Sequence, residues 1–330
     1  MKRMSALLFL PLLIGLAPDP IGIAPDPIDI KEWKVPFGGH PRDPFVDQQG
    51  RVWFVGQQGH YIAYLEPKSG EFKKYDLEPG AGPHNLVVDR DGTPWYTGNR
   101  RGYIAKVNPT SGEITRYPMP DTTARDPHTL VFDQNGDMWF TAQQSNFVGH
   151  IVRKTGQSHL IKVPTARARP YGIILDSKGK VWFNEFGTNK LGMVDPATMK
   201  LEEIVQPRPA TRGRRIEVTP DDRIWYVDYA TGHLGAYDQA TKQFKEWPMP
   251  SGVQSRPYAM AVDDKGRIWA VESGVQPNKF VGFDPKTEQF FSVTDIPSGG
   301  GTVRHMFFNK PTREIWFGTD AGTIGRAKIP

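Results

Sequence analysis

An all-β fold, a seven-bladed β-propeller of four-stranded antiparallel blades, is what this sequence predicts, and three observations predict it. Tryptophan recurs at Trp53, Trp95, Trp139, Trp182, Trp225, Trp269 and Trp316, at intervals of 42, 44, 43, 43, 44 and 47 residues. An Asp-x-x-Gly turn stands before that tryptophan in copy after copy, as at Asp89–Gly92, Asp133–Gly136, Asp176–Gly179 and Asp263–Gly266. The seventh copy stops after three strands, while an unpaired strand-like segment precedes the first copy. Repeats of this length are propeller blades, because one unit cannot bury both faces until its neighbours stack on it.

The elements follow in order. Lys2 and Arg3 precede a short apolar stretch, and residues 1–17 read as an export signal. That stretch is shorter than the roughly 20 apolar residues a membrane-spanning helix needs. Ala-Pro-Asp-Pro occurs at 17–20 and again at 24–27, and residues 18–27 read as a proline-stiffened spacer. The propeller is assigned to residues 28–330. Its first segment, 28–36, resembles the fourth strands that end in Tyr117-Pro118 and Trp247-Pro248, so it is expected to complete the last blade and close the ring. In the third copy, alternation places strands at 128–132, 138–142, 148–153 and 159–163; in the sixth, at 258–262, 267–271, 279–284 and 289–293. The thirty prolines and 34 glycines fall between apolar runs at regular spacing, as turn residues do.

Composition limits the function. The chain has no cysteine, which excludes disulfides, thiolate catalysis and Cys-ligated metals. Net charge is +5, but the basic residues form no basic helix and no known nucleic-acid reader, so no nucleic-acid partner is expected. A monomer without a membrane span, exported to the periplasm or secreted, is the expected state.

The arginines that do group together lie in connections leading into each first strand: Arg42, Arg125, Arg167, Arg169, Arg212, Arg214, Arg215, Arg256 and Arg304. In a propeller these connections surround one mouth of the central channel, where guanidiniums attract an anion. Eleven residues before the seven tryptophans stand Arg42, His84, His128, Tyr171, Arg214, Tyr258 and His305, all large and polar. A small-molecule or peptide ligand, anionic or lactone-containing, is expected there.

A second circle, after each second strand, comprises Gln57, Asn99, Gln143, Glu185, Asp228, Glu272 and Asp320. Its carboxylates suit a hard divalent cation, Mg²⁺ or Ca²⁺, or salt bridges to the arginines. No organic cofactor is expected.

The Pro-His/Tyr starts, the Asp-x-x-Gly turns, Trp-Phe followed by an acidic residue, and Asn189-Lys-Leu-Gly192 together resemble the streptogramin lyase (virginiamycin B lyase) family over residues 28–330. The resemblance implies a carbon–oxygen lyase in which Mg²⁺ polarises a lactone while a last-blade histidine removes a Cα proton. His305 matches that histidine, and Asp320 falls near the carboxylate after the last Trp-Phe. Val303 stands where the family has a glutamate, and Tyr258 where it has a histidine. His84 and Asp126-Pro-His128 repeat the family's order in other blades, a rotated metal or acid–base site. Two alternatives stand beside the lyase: a non-catalytic binding or sensing propeller, and a divalent-cation lactone hydrolase built on Glu185, Asp228 and Glu272.

Overall fold

A computed structural model describes residues 26–330; the signal segment and most of the spacer lie outside the described residues. Twenty-eight strands, β1 to β28 in chain order, form seven four-stranded antiparallel sheets. Blades 1 to 6 are β2–β5 (41–76), β6–β9 (83–118), β10–β13 (127–162), β14–β17 (170–205), β18–β21 (213–248) and β22–β25 (257–295). Blade 7 joins β26–β28 (303–328) to β1 (Ile30–Lys34), in the order β1-β28-β27-β26. The ring is therefore closed by the N-terminal strand.

That closure is a full ladder. Ile30 pairs with Ala327 and Lys34 with Thr323, and Trp33 stacks on Trp316 with ring centroids 5.5 Å apart. Glu32 accepts hydrogen bonds from the Ser298 backbone N–H and hydroxyl, each at 2.7 Å, tying the strand to the β25–β26 connection as well. An open edge on blade 7 would leave these backbone groups unpaired.

Second strands are apolar on both faces because each blade is covered by two neighbours. Trp53, Trp139, Trp225 and Trp269 are fully buried, and each apolar cluster draws on adjoining blades. The Asp-x-x-Gly turn explains the fixed spacing to the tryptophan. In blade 6, Asp263 Oδ1 accepts the N–H groups of Lys265 and Arg267, while Oδ2 accepts the Trp269 indole N–H at 3.0 Å. Gly266 closes that turn at φ +76°. Predicted strand bounds agree within about two residues; 138–142 and 279–284 coincide with Met138–Ala142 and Lys279–Asp284.

First strands line the axis, and each breaks register near its start. The shift lies between Arg42 and Phe45 in β2, Pro83 and Leu86 in β6, Gly213 and Ile216 in β18, and Val303 and Met306 in β26, with matching breaks in the other three. Such a bulge re-aims successive side chains. Both the residue eleven before the tryptophan and the one ten before it consequently enter the axial network.

Candidate functional site

The residues ten before the tryptophan form a layer that alternation alone does not reveal: Asp43, Asn85, Thr129, Gly172, Arg215, Ala259 and Met306. Asp43 is fully buried with φ +50°. Its carboxylate accepts from Arg42 Nε at 2.9 Å, Asn85 Nδ2 at 2.8 Å and Arg215 Nη2 at 3.1 Å. Arg215 also donates to the Arg304 carbonyl at 2.8 Å and to Thr129 Oγ1 at 3.3 Å. Gly172 leaves room for that arginine's backbone, since a Cβ there would stand 2.6 Å from the Arg214 carbonyl oxygen.

Above this layer His84, His128, Tyr171, Tyr258 and Arg214 of the outer circle pack against one another. The His84 and His128 rings are 3.6 Å apart, and His128 and Tyr171 are 4.2 Å apart. Tyr171 and Tyr258 share a hydroxyl–hydroxyl hydrogen bond across the axis. The Arg214 guanidinium lies over Tyr229 at 4.0 Å, Tyr258 at 4.2 Å and Phe186 at 4.3 Å. Five of the seven are buried, while Arg214 and His305 are half-buried, so an arriving ligand meets those two first.

The electrostatics follow from burial among fixed cations. Burial, then the Arg42 and Arg215 guanidiniums, hold His84 well below the usual histidine range. Burial, then His84 and Arg215, do the same for His128. His305 is pushed down to about 3 by burial first and Arg215 next, with Asp43 opposing. Burial works against ionising Asp43, yet Arg42 and Arg215 hold its carboxyl below the ordinary range. Burial also opposes ionisation of Tyr258, but Arg214, Arg42 and Arg215 together draw its phenol down. Tyr258 is thus the more acidic phenol of the bonded pair, since burial raises Tyr171.

A pH prediction follows. Each of these histidines has a folded pKa below its unfolded one, so unfolding takes up protons as pH falls below about 6.5. Each contributes a loss of up to about 1.4 kcal/mol per pH unit below that point. The depressed Asp43 adds a further loss at pH below about 4. Melting temperature measured from pH 7.5 to 4 is expected to fall steadily below about 6.5; a flat profile would contradict neutral buried imidazoles.

The acidic residues stand apart from that centre. Asp228 accepts the backbone N–H groups of Arg212 at 2.9 Å and Ala230 at 3.0 Å. Glu272 accepts the Ser251 N–H at 2.9 Å, and Asp126 those of Gln144 at 2.5 Å and Ser145 at 3.0 Å. Asp320 is engaged by the Arg304 guanidinium and by His40 at 3.1 Å. Glu185 accepts from Thr188 at 2.7 Å, and burial, helped by Glu203, pushes its carboxyl up to about 7. Gln57 accepts from Arg42 Nη1 at 2.8 Å. Arg169 and Arg256 are exposed at the entrances to β14 and β22. The predicted metal donors thus serve separate hairpins, and none belongs to a three-ligand grouping among the described residues. A hard divalent cation, which needs converging oxygens, does not fit the mouth as built.

A family model, the virginiamycin B lyase family, matches residues 21–276. The chain belongs to that family. Among solved structures, virginiamycin B lyase from Staphylococcus aureus is 23% identical, with a TM-score of 0.83 over 92% of this chain and 100% of that one. A catalytically inactive histidine-to-alanine variant of that enzyme with quinupristin gives the same figures of 23% and 0.83 over 92% and 100%. A streptogramin B lyase is 24% identical, with a TM-score of 0.82 over 92% and 98%. At these identities the likeness to the solved structures is one of fold. No curated protein matches the chain. No helix among the described residues of this virginiamycin B lyase family member is long and apolar enough to cross a membrane.

Proposed function

We propose that this family member is a carbon–oxygen lyase that opens a lactone or ester by elimination at the mouth. One observation supports the reading most: Arg42 Nη2, Arg214 Nε and His305 Nδ1 are buried there without hydrogen-bond partners. Unspent polar atoms in a protein interior are costly, and they cluster where a ligand supplies the missing partner.

His305 acts as the base. Its imidazole is neutral at working pH, and Nδ1 accepts the proton from the carbon next to the ester-bearing carbon. The C–H electron pair becomes the new C=C bond, the C–O bond breaks, and a carboxylate leaves. Arg42 and Arg214 donate to the developing carboxylate, and Asp43 offsets the charge gained by His305. His84 and His128 form the floor: His128 Nδ1 lies 2.9 Å from Thr129 Oγ1, and His84 Nδ1 3.2 Å from the His128 carbonyl. Guanidiniums supply here the electrophilic assistance that Mg²⁺ would otherwise give, which agrees with Val303 where the family has a glutamate and Tyr258 where it has a histidine.

The test is incubation with quinupristin, the cyclic peptide present in the staphylococcal structure, followed by mass spectrometry. The expected product is ring-opened and unsaturated, with unchanged mass. His305→Ala should lower the rate by about 10²-fold or more, His128→Ala by less, and EDTA should leave it unaltered. A product heavier by one water assigns a hydrolase; saturable binding without turnover assigns a sensing propeller. Either result overturns the lyase.

A further inference from the structure

Five blades hold their periodic indole through the residue six positions earlier. Trp53 donates to Asp47 at 2.8 Å, Trp95 to Asp89 at 2.9 Å, and Trp182, Trp225 and Trp269 to Asp176, Thr219 and Asp263 at 3.0 Å. Blade 3 has the same aspartate at the same spacing, Asp133 before Trp139, and does not make the bond. Trp139 is 1% exposed, and its indole nitrogen has no partner. Asp133 Oδ2 stands instead 3.8 Å from His150 Nε2, which is likewise buried without a hydrogen-bond partner. Asp137 joins them, so that one ligand atom from each of the three lies within 4.8 Å of the others.

We infer that Asp133, Asp137 and His150 form a binding site for one divalent transition-metal ion of the Zn²⁺ class, at the end of blade 3 away from the mouth. The three side chains are held for it. Asp133 Oδ1 is occupied by the Asn135 and Asp137 N–H groups, at 2.9 and 3.0 Å, which leaves Oδ2 to ligate. Asp137 Oδ1 accepts the Arg153 N–H at 2.9 Å. The His150 ring stacks on Trp139 at 4.4 Å, with His159 beside it at 6.3 Å.

The spacing suits the ion. Bonds of about 2.1 Å in a tetrahedral site put two ligands about 3.4 Å apart; Asp133 and His150 must close from 3.8 Å, and the set of three, which lies within 4.8 Å, must draw in around the ion. An imidazole with two carboxylates selects borderline ions over Mg²⁺ or Ca²⁺, which take oxygen shells. Water would complete the ion's shell, since the His150 and Asp133 side chains retain 15% and 14% exposure.

The test is calorimetric titration of the full chain with Zn²⁺, and visible absorption with Co²⁺ as the spectroscopic probe. One ion per chain is expected, with a raised melting temperature. His150→Gln and Asp137→Asn are each expected to weaken binding by about 10-fold or more, while His305→Ala retains it. Two separate variants guard against either one failing to fold. A Kd weaker than about 1 mM, or variants that bind like the parent chain, would overturn the site.

Discussion

Removing residues 28–36 is expected to unfold the whole ring rather than to fray one end of it. β1 supplies the outer strand of blade 7, pairing from Ile30↔Ala327 to Lys34↔Thr323, and its flanks add the Lys328 N–H to Asp29 carbonyl bond at 2.9 Å and the Val35 N–H to Gly322 carbonyl bond at 3.0 Å. Val35 is 3% exposed in the cluster that joins blades 7 and 1, where Trp33 and Phe37 also pack; Ile28 and Ile30 pack between blades 6 and 7. Each such side chain contributes about 1.5–3 kcal/mol on burial, so the segment accounts for several kcal/mol against a typical total of about 5–15 kcal/mol. Because the loss exposes the seam of a closed ring, it is not confined to one blade. Thermal melting followed by circular dichroism checks it: the truncated chain should lose cooperative melting or melt far lower, and a synthetic 28–36 peptide should restore part of the loss. A shift under about 2 °C, equivalent to less than 1 kcal/mol in a domain of this size, would show that the closure is dispensable.

The blade repeat was legible in the sequence because its cause is local. Asp263, the turn it caps and Trp269 lie within seven residues, and the same constraint recurs wherever a second strand is covered on both sides. The closing strand was legible because the strand left over before the first copy resembles the fourth strand that the seventh copy lacks. The outer circle was legible by counting back from the tryptophan. The layer beneath it was not, because the bulge between Arg42 and Phe45 and its equivalents turns two consecutive side chains toward the axis, where simple alternation allows one. Asp43 and Asn85 went unnoticed on that account, and Arg215 was legible only as one arginine of the mouth, not as the partner of Asp43. Carboxylates at strand ends posed a different difficulty. Asp228 and Asp126 carry the charge and position of metal ligands, but the same position faces the free N–H groups of a hairpin, and those groups take them. Blade 3 departs in the opposite sense: Asp133-Gln-Asn-Gly136 reads as an ordinary turn, and only the unpartnered Trp139 indole nitrogen and the 3.8 Å approach of Asp133 to His150 set its carboxylate apart.

Asp43→Ala is expected to cost about 3–5 kcal/mol, because it strands two buried guanidiniums, Arg42 and Arg215, without their counter-charge. The effect reaches beyond one strand. Asp43 belongs to blade 1, its partner Asn85 to blade 2 and Arg215 to blade 5, and Arg215 continues to Thr129 in blade 3 and the Arg304 carbonyl in blade 7. Five blades therefore meet in one network at the axis, and its loss should reduce the cooperativity of unfolding as well as its midpoint. An ion pair in such a place need not stabilise more than an apolar contact would. Asp43→Ala combined with Arg215→Met should thus recover part of the loss, since the second change removes a charge the first left uncompensated. Chemical denaturation of the two single variants and the double variant measures this as a coupling energy. Additive losses would mean that Asp43 and Arg215 act independently. The same variants bear on the mouth: without Asp43, the group opposing the guanidiniums around His305 is gone. Turnover in Asp43→Ala should accordingly fall even at temperatures where the domain remains folded.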